Sequence, residues 1–341
     1  MTNQAAWLDG TGQTFRVGSA EMPNIDANEV LIKNCAIAIN PIDWKVRDYG
    51  WLIKHWPTIL GSDAAGVVID VGSEVHNFKK GDRVIGHGIS MISQKPKHGT
   101  FQHYVAFEAP KVAKIPDSMS FNDACVLPLA FDTAATGLFK DHDKGYLGLE
   151  FPSISANPSD KKLIIYGGSS SVGALAIQLA VAAGAYVVAI ASRKNFDFCR
   201  SCGAHEVFDY NDPTVVDEVV QAVKSGKPTD FVGIFDTISQ EESYKIVVPI
   251  LERLGSGNLA TVLGGPSNLP AGSKTAYVEG INDYVDLLRG KFMTPALEQG
   301  ILKCLPKPFV VGKGLESVEK GCLENKKGVS AKKVVIELEV E

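Results

Sequence analysis

The sequence lacks the features that would mark a membrane, nucleic-acid-binding or secreted protein. No apolar run in its 341 residues reaches the roughly 20 that a membrane-spanning helix needs. Lys and Arg number 34 against 39 Asp and Glu, so no basic excess favours nucleic acid or anionic lipid. The first residues show no basic start followed by an apolar block, as a secretory signal would. We therefore expect a cytoplasmic enzyme of one or two domains, with neither a nucleic-acid nor a membrane partner.

Cysteines are few, and most stand alone in the sequence: Cys35, Cys125, Cys199, Cys202, Cys304 and Cys322. Isolated cysteines favour a reducing compartment over a disulfide framework. The close pair at 199 and 202 has no second pair to complete a structural zinc site. We interpret the two residues as small side chains about one turn apart on a helix.

The first third of the sequence has a β-rich pattern. Short β-branched segments are separated by Gly and Asn turns, without helical periodicity between them; they span residues 30–39, 64–71, 82–86, 101–107 and 112–115. This spacing predicts a β-barrel-like unit.

Strands and helices alternate later in the chain. After a predicted helix at 121–140, strands are predicted at 163–166, 186–191, 207–209, 231–235 and 259–263, with helices at 172–183, 195–202, 214–224 and 241–251. Such alternation predicts a parallel, doubly wound sheet. A helix at 315–323 and a strand at 333–339 complete the prediction. The polar segment 141–160 is either a functional cover or a surface loop.

A glycine-rich segment, Tyr-Gly-Gly-Ser-Ser-Ser-Val-Gly at 166–173, lies between a predicted strand and a predicted helix. Glycines let backbone N–H groups approach a pyrophosphate, and a helix N-terminus adds a positive end. We therefore predict a dinucleotide site formed by Gly168, Ser170, Ser171, Val172 and Gly173.

The end of the second predicted strand of this sheet indicates which dinucleotide binds. An NAD site places a carboxylate there for the ribose hydroxyl, whereas this strand is followed by Ser192, Arg193 and Lys194. A hydroxyl and two cations suit a 2′-phosphate, so the sequence favours NADPH. Alternatively, the two cations are solvated surface charges. Later strand ends at Thr237 and Leu263 either approach the nicotinamide side or are plain turns.

Several motifs together resemble the medium-chain dehydrogenase/reductase superfamily over essentially the whole chain. They are Asn-Pro-Ile-Asp-Trp-Lys at 40–45, Gly-Ser-Asp-Ala-Ala-Gly at 61–66, Gly-Asp-Arg-Val at 81–84, the glycine-rich loop, Gly-Ala at 203–204, Asp-Tyr at 209–210 and Gly-Val-Ser-Ala-Lys-Lys at 328–333. The resemblance implies a discontinuous GroES-like β-barrel-type catalytic domain, 1–125 and 293–341, and a Rossmann NADPH-binding domain, 126–292. It also implies an active site in the cleft between them.

The same motifs depart from the zinc alcohol dehydrogenases of that superfamily. Those enzymes carry a zinc-ligating Cys where this chain has Asn40, and Gly-His-Glu where it has Gly-Ser-Asp at 61–63. Their third ligand, a Cys, corresponds to a position near Leu129. Their structural-zinc lobe of four cysteines corresponds to residues 86–99, which contain no Cys. The resemblance therefore implies no metal. Zinc-lacking members reduce α,β-unsaturated carbonyls or quinones with NADPH, and we expect that chemistry on a small-molecule substrate.

A narrower resemblance lies with a fungal branch that includes trans-acting enoyl reductases of polyketide synthases. It rests on the glycine-rich loop, Ala-Ser-Arg-Lys-Asn-Phe at 191–196 and Val-Phe-Asp-Tyr at 207–210. It implies a 2′-phosphate held by Ser192, Lys194 and Tyr210. It also implies that Lys45 and Thr133 lie beside nicotinamide and substrate, with Asn40 and Asp43 at the same end.

The aromatic residues Trp44, Trp51 and Phe131 are candidate walls of a substrate pocket, or else ordinary core residues. Mitochondrial-type enoyl reductases place a catalytic Tyr where this chain has Trp51, with Tyr49 two residues away. The resemblance therefore leaves water or Lys45 as the proton donor.

The sequence is also compatible with two other functions. One is a trans-acting enoyl reductase that acts on an acyl chain carried by a carrier protein. The tail lysines are then either a docking surface for that protein or simply solvent-exposed charges; they are Lys326, Lys327, Lys332 and Lys333. The other is a non-catalytic NADPH-binding protein such as a redox sensor. Both a monomer and a homodimer are compatible with the sequence.

Overall fold

The computed structural model describes residues 2–338, which form two compact units. The first unit comprises the chain up to Leu129, the segment Arg289–Glu298 and the chain from Cys304 onward. The second comprises Ala130–Leu288 and Gln299–Lys303. The first unit is thus assembled from both ends of the sequence.

The described residues contain sixteen strands and eleven α-helices. The strands are β1 (Asn3–Leu8), β2 (Arg16–Ala20), β3 (Glu29–Ala38), β4 (Thr58–Ile59), β5 (Asp63–Val71), β6 (Arg83–His87), β7 (Tyr104–Glu108), β8 (Val112–Lys114), β9 (Lys161–Tyr166), β10 (Tyr186–Ala191), β11 (Glu206–Asp209), β12 (Asp230–Asp236), β13 (Asn258–Thr261), β14 (Thr275–Tyr277), β15 (Lys307–Lys313) and β16 (Lys332–Glu337). The helices are α1 (Pro41–Tyr49), α2 (Ser90–Ser93), α3 (Phe121–Ala124), α4 (Pro128–Phe139), α5 (Ser171–Ala182), α6 (Phe196–Ser201), α7 (Val215–Lys224), α8 (Glu241–Leu254), α9 (Asp286–Leu288), α10 (Thr294–Glu298) and α11 (Val318–Lys327).

The first unit is built around a seven-stranded sheet. Six strands follow the order β15-β16-β3-β5-β6-β8, and β7 also pairs with β3. The pairing of β16 with β3 is antiparallel, with Val335 opposite Ala38, which is why the end of the chain belongs to this unit. β1 pairs with β2 and β4 in a separate three-stranded antiparallel sheet. The core between these elements is apolar, and Ile37, Val68 and Phe101 are fully buried in it.

The second unit is a six-stranded sheet in which every neighbouring pair is parallel, in the order β11-β10-β9-β12-β13-β14. Its central strand β9 is apolar because it is covered on both faces, and Leu163, Ile164 and Ile165 have no exposed surface. β9 lies between β10 and β12, so the strand order reverses there. Ligands bind at such a switch point, outside the carboxyl ends of the strands.

The predicted combination of a β-rich GroES-like unit with a doubly wound parallel sheet is confirmed. The prediction that no helix interrupts the first third is wrong, because α1 lies within it. Its signal was present in the sequence: Pro41 occupies the first helical position, and the Asp43 carboxylate accepts the Asn40 backbone N–H.

Other differences concern element boundaries. The single predicted helix at 121–140 is two helices, α3 and α4, because Pro128 lacks an N–H and disfavours a helical residue before it. The edge strands β2, β4, β14 and β15, and β1 between β2 and β4, are not predicted from the sequence. The predicted final strand agrees with β16, except that Glu339 lies outside the described residues. Among residues 2–338, no helix has both the length and the apolar character needed to cross a bilayer.

Candidate functional site

The glycine-rich loop between β9 and α5 has the geometry of a phosphate cradle. Gly167 has a φ of +77°, which favours glycine, and a Cβ on Gly173 would lie 2.2 Å from the Gly167 carbonyl oxygen. Ser170 caps α5 by accepting the Gly173 N–H at 2.9 Å. The first N–H groups of a helix have no acceptor within it, so those of Ser171 and Val172 suit an anion. The loop therefore fits a dinucleotide pyrophosphate.

Thr237, just beyond β12, braces this loop. Its hydroxyl donates to the Tyr166 carbonyl oxygen at 2.8 Å and lies 3.0 Å from the Ser170 hydroxyl. The residue is almost fully buried. Its predicted contact with the nicotinamide side was based only on the strand end; the structure shows it supporting the glycine-rich loop. Leu263, two residues after β13, is half-buried.

Asn195 connects the glycine-rich loop to the turn that follows β10. Its Nδ2 donates to the Ser169 hydroxyl at 2.9 Å and to the Ser192 hydroxyl at 3.2 Å. The side chain is 8% exposed. Sequence reasoning missed this residue, because an Asn beside two cations gives no sign of which loop it reaches.

The turn after β10 carries the two predicted phosphate-binding cations in a 3₁₀ turn, Arg193–Asn195. Lys194 is exposed and makes no ion pair with any described residue. The exposed Arg193 guanidinium lies 3.6 Å from Asp209 and 3.9 Å from Asp212. Tyr210 is 41% exposed, with its ring centroid 6.3 Å from that of Tyr166. These residues form one polar edge of the second unit.

Asp209 is a carboxylate that the cofactor argument did not include, because it ends β11 rather than β10. Its pKa is lowered, mainly by the backbone N–H of Asn211, so it is ionised at neutral pH. It is the nearest anionic group to Arg193 at this edge. Any 2′-phosphate would have to compete with it for the guanidinium.

In the first unit, three of the predicted reactive-end residues lie in α1 or at its N-cap position. Asn40 caps the helix, and Asp43 accepts its backbone N–H at 2.8 Å. Asp43 is completely buried, and burial raises its pKa to about 7; the Asn40 N–H acts in the opposite direction. Asp43 is thus a buried capping residue.

Lys45, also on α1, is a half-buried cation with no ion-pair partner among the described residues. Its ammonium lies 5.7 Å from the ring centroid of Trp44 and 6.0 Å from that of Trp51. Burial lowers its pKa. The predicted apolar walls Trp44 and Trp51 are therefore next to Lys45, and Trp51 remains 46% exposed.

The fourth predicted residue of the reactive end, Thr133, and the third predicted pocket wall, Phe131, lie on α4 in the second unit. Phe131 is fully buried, and Thr133 is 7% exposed.

The positions that correspond to zinc ligands in the alcohol dehydrogenases hold a different set of contacts. Asp63 Oδ2 accepts the Asn40 side-chain N–H at 2.8 Å, and Asp63 Oδ1 accepts the Leu129 backbone N–H at 2.7 Å. The Lys333 ammonium lies 2.9 Å from Asp63 Oδ2. No thiolate or imidazole stands at these positions, and among residues 2–338 no group of three His, Cys, Asp or Glu could hold a metal ion. The residues present do not fit zinc.

The predicted basic face of the tail is largely neutralised. Lys326 pairs with Asp48 at 2.7 Å, and Lys327 pairs with Glu324 at 2.6 Å. The assignment of Lys333 to that face is wrong, because the residue is only 2% exposed.

The close cysteine pair is structural, as interpreted from the sequence. Cys199 lies on α6, and Cys202 follows the end of the helix. Burial raises the pKa of each thiol to about 12, so neither is a thiolate at neutral pH.

Comparison with protein families supports the assignment of the two units. The model for the alcohol dehydrogenase GroES-like domain matches residues 26–117, and that for zinc-binding dehydrogenases matches residues 171–278. The parallel sheet with its phosphate loop, joined in one chain to a GroES-like unit, defines a nicotinamide-dependent oxidoreductase.

Individual relatives show to which branch of the family the chain belongs. The chain is 44% identical to the dehydrogenase orsE of Emericella nidulans over 99% of both chains. It is 38% identical to the trans-enoyl reductase himH of Aspergillus japonicus, over 99% of this chain and 98% of that one. The chain belongs to the medium-chain dehydrogenase/reductase superfamily, in the fungal branch that contains these dehydrogenases and trans-enoyl reductases.

Solved structures agree on the fold. An alcohol dehydrogenase superfamily protein from Novosphingobium aromaticivorans is 24% identical, with a TM-score of 0.77 over 99% of this chain and 100% of that one. The quinone oxidoreductase from Coxiella burnetii is 21% identical, with a TM-score of 0.69 over the same shares.

Proposed function

We propose that this protein is an NADPH-dependent, zinc-independent reductase of an α,β-unsaturated carbonyl or a quinone. The observation that carries the proposal is the link through Asn195. This side chain joins the glycine-rich loop, at Ser169, to the turn at Ser192–Lys194. Within residues 2–338, Lys194 of that turn makes no ion pair. A pyrophosphate-binding loop that is linked to a turn suited to a further phosphate matches a dinucleotide with a 2′-phosphate.

The cofactor would be held by groups of the second unit. The N–H groups of Ser171 and Val172 suit the pyrophosphate, with Gly168, Ser170 and Gly173 shaping the turn. Ser192, Lys194 and Tyr210 suit the 2′-phosphate. Arg193 would join them by exchanging its weak, exposed pairing with Asp209 for a phosphate. When bound, NADPH supplies a hydride.

The reactive end would use Lys45 as a hydrogen-bond donor. Reduction of an enone or quinone places negative charge on the substrate carbonyl oxygen, and a positioned ammonium stabilises that charge. No carboxylate of the described residues pairs with Lys45, and burial lowers its pKa; both features favour donation to an incoming oxygen. Lys45 or water would then supply the proton. Asn40 and Asp43 hold the start of α1, and Thr133 would contact the nicotinamide amide.

Two measurements test the proposal. The first follows NADPH oxidation with 9,10-phenanthrenequinone and with a crotonyl thioester. Turnover of either acceptor supports a reductase, whereas tight NADPH binding with no turnover on any such acceptor would favour a non-catalytic NADPH-binding protein.

The second measurement tests the cofactor assignment. Lys194→Glu is expected to raise the Kd for NADPH about 10- to 100-fold while leaving that for NADH nearly unchanged, because only NADPH carries the 2′-phosphate. Lys224→Glu, at the exposed end of α7, is the matched control. An unchanged NADPH-to-NADH preference in K194E would refute the assignment.

A second candidate function is that of a trans-acting enoyl reductase partner of a polyketide synthase. The similarity to the trans-enoyl reductase himH favours it. The test compares a crotonyl group on an acyl carrier protein with the same group on a short thioester. At least about a tenfold higher kcat/KM for the carrier-bound group would support this role, and equal values would favour a free small-molecule substrate.

A further inference from the structure

A buried ammonium lies where the family's zinc-ligand positions meet in the first unit. Lys333, the second residue of β16, is 2% exposed, while its neighbour Lys332 is exposed. The Lys333 ammonium donates to Asn40 Oδ1 at 2.5 Å and lies 2.9 Å from Asp63 Oδ2. Asp63 has no exposed surface.

The charges of this cluster are balanced, and its hydrogen bonds are extensive. Besides Lys333, the Asp63 carboxylate accepts the Asn40 side-chain N–H and the Leu129 backbone N–H. A buried ion pair is retained without great cost only when its remaining atoms are hydrogen-bonded in this way. Asn40 uses both ends of its amide, one toward Lys333 and the other toward Asp63.

The cluster is directly connected to α1. Asn40 is the capping residue of that helix, and its backbone N–H is bound by Asp43. The preceding Ile39 N–H donates to the Val334 carbonyl oxygen, next to Lys333. Lys45 lies five residues beyond Asn40, on the same helix.

We propose that Lys333 is a built-in cation that takes the structural place of a metal ion in this chain. Its ammonium neutralises Asp63 and orients Asn40, and through Asn40 it sets the start of the helix that carries Lys45. Lys333 is thus a positioning residue, and the cluster excludes zinc because a cation already contacts two of the ligand positions. The effect on turnover rests on the proposed function; the effects on charge pairing and on zinc do not.

The first test is a double-mutant cycle in thermal unfolding, with Lys333→Met, Asp63→Asn and the double variant. K333M leaves a buried carboxylate without a counter-charge, so its Tm is expected to fall by roughly 10 °C. D63N/K333M, which keeps no unpaired charge, is expected to recover most of that loss. Lys332→Met, one residue away and exposed, serves as the control and is expected to unfold near the wild-type temperature. Additive losses in the double variant would overturn the proposal.

The second test is zinc uptake. Wild-type protein is equilibrated with Zn²⁺, desalted and analysed for metal. We expect well under one zinc per chain, and one tightly retained zinc per wild-type chain would overturn the proposal. If K333M fails to fold, the thermal unfolding of D63N/K333M and of K333R is compared with that of the wild type instead. Both variants are expected to fold, and a double variant that also fails to fold would overturn the charge-pairing role.

The third test addresses positioning. In D63N/K333M, kcat is expected to fall at least about tenfold while the Kd for NADPH stays within about twofold, because the phosphate-binding residues belong to the other unit. K333R is expected to restore part of the lost kcat. A wild-type kcat in the double variant would overturn the positioning role. If the wild type reduces no acceptor, the proposed function fails, and the first two tests still decide whether Lys333 replaces a metal ion.

Discussion

The side-chain amide of Asn195 donates a 2.9 Å hydrogen bond to the Ser169 hydroxyl. A second bond from the same Nδ2 reaches Ser192 at 3.2 Å. One side chain therefore couples two loops that the proposal assigns to two different phosphates of the same cofactor. Because both bonds come from one nearly buried group, the loops should hold or lose their arrangement together.

Asn195→Ala is expected to weaken NADPH binding about tenfold. Two neutral hydrogen bonds contribute roughly 0.5–1.5 kcal/mol each, and about 1.4 kcal/mol corresponds to a factor of ten in Kd. Fluorescence titration with NADPH measures the change. Asn28→Ala, an exposed change in the other unit, is the control. An NADPH Kd equal to that of the wild type would show that the link does not organise the cofactor loops.

Lys45→Met is expected to lower kcat about 100-fold with little change in the Kd for NADPH. Loss of a single donor to a developing oxyanion typically costs 10²–10³ in kcat. The matched control is Lys54→Met, an exposed lysine in the same unit. Steady-state kinetics with the quinone acceptor provide the measurement. Equal kcat values for the two variants would remove Lys45 from the reactive end.

Asp43 should make stability depend on pH between about 4 and 7. Burial raises its pKa in the folded protein to about 7, from the ordinary value of 3.8. In this range the folded state holds a proton that the unfolded state has released, so the contribution of Asp43 falls as pH rises and levels off above about 7. The charged groups closest to it in this balance are Asp63, which raises its pKa, and Lys333, which lowers it.

Asp43→Asn isolates this effect, because the amide oxygen can still accept the Asn40 N–H. The difference in Tm between D43N and wild type is expected to shift in favour of D43N as the pH is raised from 4 to 7. Thermal unfolding at several pH values measures it. A difference that is constant across this range would contradict a raised pKa.

Lys162→Met is expected to destabilise the second unit by about 2–4 kcal/mol without a direct effect on cofactor binding. The buried Lys162 ammonium donates to the carbonyl oxygens of Ala222, Val223 and Ser225 at the end of α7, at 3.0–3.2 Å. Removing it leaves buried carbonyl groups without a charged donor. The neighbouring Lys161→Met, which breaks an exposed pair with Asp230, should cost less than about 1 kcal/mol. Chemical denaturation compares the two, and equal losses would contradict the capping role.

Much of the architecture follows from the sequence alone. The alternation of short apolar strand segments with helical patterns after Lys161 predicts the parallel sheet, because strands covered on both faces are apolar throughout. The loop at 166–173 is identifiable from its glycines, since a tight turn against a helix tolerates few other residues. The absence of thiolate and imidazole at the zinc positions can likewise be read from Asn40, Ser62 and Asp63.

Tertiary structure alone decides which charges meet. Lys333 resembles any surface lysine in a basic tail, yet it bonds to Asn40, 293 residues earlier in the chain. Asp209 ends a different strand from Arg193, and only the parallel pairing of β10 with β11 brings the two together. No local pattern encodes such contacts, because strand order and register bring them about. The sequence therefore determines the class of this protein, and the fold determines which cations remain available for a ligand.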